Sequence, residues 1–140
     1  NLKVMAAAGG IPDSRVDEVL ELVELTEAAN KRTKNYSLGM KQRLALAGAI
    51  LGDPEVLILD EPANGLDPLG IAWLRKFLRS LAGSGRTILV SSHQLAEMQN
   101  TVDDVIIMHK GKLITSGSMK EIIKDGTLEE AFLKLTEGVN

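Results

Sequence analysis

At 140 residues the chain is long enough for one domain with a real core, and a hydrophobic content of 44% with only 3% aromatics makes that core aliphatic. Its 16 basic and 19 acidic residues leave a net charge of −3, which argues against a general polyanion binder, so nucleic acid is not an expected partner. The absence of Cys excludes disulfides and thiolate metal sites, and the longest apolar run, Leu44 to Leu51, is far short of the roughly 20 residues of a membrane span.

The opening NLKVMAAAGG has neither a basic n-region nor a continuous apolar stretch. It is therefore not a secretion signal and reads as mid-domain sequence, as though the chain were entered partway through. A helix is expected to end at Gly9-Gly10, followed by a turn at Pro12-Asp13. From Ser14, the residues Val16, Val19, Leu20 and Val23 recur at i, i+3, i+4 and i+7. That spacing predicts an amphipathic helix ending near Leu25, with Ser14 and Asp17 able to cap its first turn. Thr26 to Asn35 is a polar, Lys-rich connector read as a solvated face.

Tyr36-Ser37-Leu38-Gly39-Met40-Lys41-Gln42-Arg43 opens a helix expected from Leu38 to Leu51, with Ser37 as its N-cap. Free backbone N–H groups at a helix start, a Gly that lets a ligand reach them, a Ser hydroxyl and the cations Lys41 and Arg43 make a suitable anion site. The same residues also describe an ordinary Ser-capped core helix. Gly52-Asp53-Pro54 stops it.

Val56 to Asp67 reads VLILDEPANGLD. Four apolar residues run straight into Asp60 and Glu61, as a strand buried on both faces delivers charge at its carboxyl end, where parallel sheets bind ligands. Asp67-Pro68 then sets a cap and a first-turn Pro in the favoured order for a helix. Its expected buried face is Leu69, Trp73, Leu74, Phe77, Leu78 and Leu81, opposite the basic Arg75, Lys76 and Arg79.

Gly83-Ser84-Gly85-Arg86-Thr87 imitates the end of a phosphate loop but has Ser80 where GxxxxGK[ST] needs Gly and Arg86 where it needs Lys. It is read as a Gly-terminated helix and a turn, and no other segment matches the pattern. Thr87 to Ser91 is a second buried strand, which delivers Ser92 and His93. A short helix over Gln94 to Asn100 and a third strand over Val105 to Met108 follow. Lys110-Gly111 then turns the chain into a hairpin with Leu113 to Thr115. Ser118 to Glu121 and Thr127 to Glu130 each have capping-box spacing and start two closing helices. At most three strands are expected to run parallel, leaving exposed sheet edges.

The octet 36–43, the DEP strand with its NGLD turn and the SSHQ strand end, in that order, resemble the ATP-binding cassette (ABC) ATPases. Ser37 and Gly39 match the Ser and second Gly of the LSGGQ signature, whereas Tyr36, Leu38 and Met40 depart from it. The YSLGM variant resembles that of ATPase subunits of bacterial ABC-2-type exporters. VLILDE looks like the Walker B strand, Asn64 to Asp67 like the D-loop and His93 like the switch histidine.

The resemblance implies a partial P-loop NTPase-type α/β fold: residues 1–52 as the end of the helical subdomain with the signature helix, and 53–140 as the C-terminal part of the ATPase core. It implies ATP and Mg2+ as ligands, with Asp60 on the magnesium side, Glu61 as catalytic base, His93 at the γ-phosphate, and Ser37, Gly39 and Asp67 acting across a head-to-tail dimer. The implied partners are a second ATPase cassette and separate transmembrane permease subunits, which would hold the protein at the inner face of the membrane. The family's phosphate loop, adenine-stacking aromatic and Q-loop Gln would precede Asn1, so hydrolysis by these residues alone is not expected. Two alternatives stand beside the exporter: a non-catalytic module lending its signature surface to a complete cassette, and the C-terminal lobe of a chromosome-maintenance or DNA-repair ATPase.

Overall fold

The helical faces read from the sequence close into one aliphatic core. In the computed structural model, which describes residues 2–30 and 32–138, α1 (Leu2–Ala8), α2 (Asp13–Leu22) and α3 (Leu38–Ile50) contribute Leu2, Ala6, Val16, Val19, Leu20, Leu46, Ala47 and Ile50 to it. β1 (Val56–Asp60) and α4 (Pro68–Gly83) add Leu57, Leu59, Leu74, Phe77, Leu78 and Leu81. All of this lies in a first compact unit that ends at Ser91; a second begins at Ser92.

Local chemistry moves several boundaries. α2 starts at Asp13 behind an extended Pro12 and has no side-chain cap bond, so Ser14 and Asp17 are not its caps. It stops at Leu22, short of Leu25, because Glu24 takes the left-handed conformation (φ 61°). The Leu25 N–H then closes back on the Leu20 carbonyl at 2.8 Å and the Glu24 N–H on the Glu21 carbonyl at 3.0 Å, the pattern that satisfies a helix's last carbonyls. α3 begins as expected: Ser37 Oγ accepts the Met40 N–H at 3.1 Å. Arg15 holds the other end, donating to the Ile50 and Leu51 carbonyls at 2.9 and 3.2 Å, where a cation suits the helix dipole.

β1 pairs in parallel with β2 (Thr87–Ser91), in a register that runs from Val56 opposite Thr87 to Asp60 opposite Ser91. The sequence predicts a strand buried on both faces. Only one face of β1 is covered: Leu57 and Leu59 are buried, whereas Val56 and Ile58 are 57% and 74% exposed. Leu89 of β2 is exposed as well. On α4 the expected buried face holds for Leu74, Phe77, Leu78 and Leu81, but Leu69, in the first turn and beyond the reach of the core, is 82% exposed.

The second unit contains α5 (Leu95–Thr101), β3 (Asp104–His109), β4 (Lys112–Ser118), α6 (Met119–Ile123) and α7 (Leu128–Thr136). β3 pairs antiparallel with β4, the hairpin expected from the sequence. Lys110 and Gly111, at φ 49° and 75°, make the turn, since two successive positive φ values match the twist of a two-residue hairpin. Ser118 Oγ caps α6, and Thr127 with Glu130 forms the full capping box of α7. Leu128 is buried, and its N–H donates to the Gln99 side chain at 2.9 Å. Among the described residues, no helix is long and apolar enough to cross a membrane.

Candidate functional site

The turn before α3 and the turn before α4 meet at one recess. Ser37, Gly39 and Asp67, three of the residues singled out from the sequence, line a cavity of about 480 Å³ together with Leu66, Arg43 and Trp73. Both turns are set by their own caps: Ser37 on the Met40 amide, and Asp67 Oδ1 accepting the Gly70 N–H at 2.8 Å. Gln42 ties the turns together by donating to the Asn64 carbonyl at 3.2 Å. Gly65 lets them approach, because it takes φ 79° and a Cβ there would collide with Leu38. Gly39 is under no such constraint, since a Cβ would meet only Leu66 and Ser37 Oγ near 4 Å. What its missing side chain leaves is access to the first amides of α3.

Arg43, one of the cations of the expected anion site, is otherwise engaged. Its guanidinium donates to Glu24 Oε2 at 2.8 Å and to the Val23 carbonyl at 3.4 Å, and lies 4.1 Å from the centroid of the Trp73 ring. Tyr36, where the family signature has Leu, is buried and donates its hydroxyl to the Ala28 carbonyl at 2.7 Å.

Asp60 and Glu61 stand at the carboxyl end of β1, as the sequence predicts. Asp60 is exposed and accepts a hydrogen bond from Ser91 Oγ, its neighbour across the parallel register. The Glu61 N–H donates to both the carbonyl and Oγ of Ser91, each at 3.1 Å, with Glu61 itself left-handed at φ 48°. Ser91 therefore fixes both carboxylate residues. Its place opposite Asp60 depends on a strand register that sequence spacing does not reveal. Among the described residues no three His, Asp or Glu side chains converge as a metal cage. A single carboxylate at a strand end fits a cation that keeps most of its water and takes further oxygens from phosphate, as magnesium does. His93 is exposed and lies in a bend just before α5, in the second unit.

A strand-end carboxylate pair, a Ser-capped helix start and a second capped turn beside it are the parts the sequence resemblance requires. The model of the family described as ABC transporter matches residues 3–64. Over 126 residues the chain is 46% identical to the bacitracin transport ATP-binding protein BcrA of Enterococcus faecalis, covering 89% of this chain and 41% of that protein. It is 40% identical over 132 residues to the lantibiotic transport ATP-binding protein SrtF of Streptococcus pyogenes, covering 94% of this chain and 56% of that protein. The chain belongs to the ABC family. A solved ATP-binding subunit of an ABC transporter superposes with a TM-score of 0.83 at 29% identity, over 97% of this chain and 60% of that one. The α/β architecture described above is thus that of ABC ATPases, and the chain spans about half the length of the relatives it matches.

Proposed function

We propose that this chain carries the signature, Walker B and D-loop portion of the ATP-binding subunit of a bacterial ABC exporter, which couples ATP hydrolysis at a head-to-tail dimer to transport by separate membrane subunits. The observation that carries this reading is the shared recess of Ser37, Gly39 and Asp67. A role in transport is supported by the names of the bacitracin and lantibiotic transport relatives, and export by the YSLGM variant of the signature. The cargo would be selected by the permease. Its two regions would serve as the end of the helical subdomain, 1–52, and the C-terminal ATPase core, 53–140, at the inner face of the membrane.

Each residue's chemistry follows from its setting. Ser37 Oγ already accepts the Met40 amide, so its own proton is available to donate to a γ-phosphate bound by the opposing cassette. The adjoining α3 amides and helix dipole would favour that negative charge by roughly 0.3 to 2 kcal/mol. Asp60, oriented by Ser91, would hold magnesium mainly through water, and the ion would neutralise charge on the phosphates. Glu61 would take the proton of the attacking water, and His93 would contact the γ-phosphate. Asp67, besides capping α4, would face the partner cassette and couple the two sites.

Replacing Glu61 tests the assignment. In the intact ATPase, Glu61→Gln is expected to lower phosphate release by about 10²- to 10⁴-fold, the usual contribution of a general base, while ATP still drives dimerisation. Near-normal phosphate release from that variant would remove Glu61 from the role.

A further inference from the structure

Glu24 occupies a position that favours a different residue. It is the second residue past the end of α2, directly after the C-cap Val23, at φ 61°, where the chain closes the 2.8 Å bond from Leu25 to Leu20. Glycine adopts that conformation without steric cost and is the usual occupant. A β-carbon there is a strain that something else must offset, and the carboxylate shows what does: it meets the Arg43 guanidinium at 2.8 Å. Arg43 extends from the second turn of α3, and its other contacts are the Val23 carbonyl and the face of Trp73, itself stacked on Phe77 at 4.9 Å. One cation therefore joins the end of α2, the start of α3 and the first turns of α4.

We propose that Arg43, held by Glu24 and Trp73, is a positioning residue that sets the angle at which α3 presents Ser37 and Gly39 beside Asp67. This rests on the reading of that recess as the surface that meets a γ-phosphate across the dimer. Arg43 would act through α3, since its guanidinium is already engaged by Glu24, Val23 and Trp73. A guanidinium suits the task because its planar fork can donate sideways to a carboxylate and a carbonyl while its face stacks on an indole; a lysine ammonium cannot do all three. Glu24 and Trp73 would then serve function by holding Arg43.

Glu24→Gly separates positioning from plain structural support, because it relieves the backbone strain while releasing Arg43. Its thermal midpoint is expected to equal or exceed that of the parent chain. In the intact ATPase, kcat should fall about tenfold or more, as small misplacements of reacting groups do, with KM for ATP nearly unchanged. Trp73→Leu, which keeps an apolar side chain but removes the stacking face, should show the same split. In the 140-residue chain, the emission of Trp73, its single tryptophan, should shift when Glu24→Gly frees the guanidinium above it. Ser37→Ala, assayed alongside, keeps the outcomes apart. If Ser37→Ala lowers kcat and both Glu24→Gly and Trp73→Leu leave it intact, Arg43 has no positioning role. If Ser37→Ala also leaves kcat intact, the recess is not the phosphate-facing surface and the proposal falls with it.

Discussion

The recess at the start of α3 and the open face of the β1–β2 pair belong to one unit and share the stretch Val56 to Asp67, yet they are held in opposite ways. At the recess Ser37, Asp67, Gln42 and Arg43 each have a partner within the chain. On the sheet, Leu57 and Leu59 are buried while Val56, Ile58 and Leu89 on the other face are open to solvent. The difference separates what local chemistry can finish from what needs neighbours across a sheet. Capped turns and side-chain ties set the signature surface with residues close at hand, whereas a strand that is apolar on both sides is satisfied only when both sides are covered.

Truncating adjacent residues of β1 is the strongest way to break this contrast. Leu57→Ala should destabilise the chain by about 2 to 5 kcal/mol in denaturant unfolding, the cost of emptying a core position. A cost below about 1 kcal/mol would mean that the covered face is loosely packed. At the recess, Gly65→Ala should cost about 1 to 3 kcal/mol, because the alanine must hold φ 79° and its methyl must displace Leu38. Asp67→Ala removes only the cap on Gly70 and should cost about 1 kcal/mol, with Asp67→Asn restoring most of it. The smallest effect is expected beside the largest: Ile58→Ala, on the open face, should stay within about 0.5 kcal/mol and reduce self-association in sedimentation. A loss at Ile58 comparable to that at Leu57 would show that the open face is covered in solution.

What the sequence made legible follows the same division. Ser37 and the Asp67-Pro68 start could be read because a cap acts over three residues, and Lys110-Gly111 because a two-residue turn is its own signal. Asp60 and Glu61 are legible at a strand end because hydropathy breaks there. Ser91 could not be recognised as their support, since its bond to Asp60 spans 31 residues and depends on register. Glu24 could not be read as a helix terminator, because glycine is the residue that signals one. Leu69 falls on the expected core face because helical periodicity does not say where along a helix the core stops, whereas the pairing of β3 with β4 is legible because a two-residue turn joins adjacent strands.

The most direct test of the half-site proposed here is a calorimetric titration of Mg-ATP into the 140-residue chain. In that proposal Ser37, Asp60 and Glu61 would orient and polarise a triphosphate, but GxxxxGK[ST] occurs nowhere in these residues to hold one. No saturable heat is therefore expected up to millimolar nucleotide, and no phosphate release above background. Micromolar affinity for ATP would contradict the proposal outright, because the chain would then contain a complete phosphate clamp of its own.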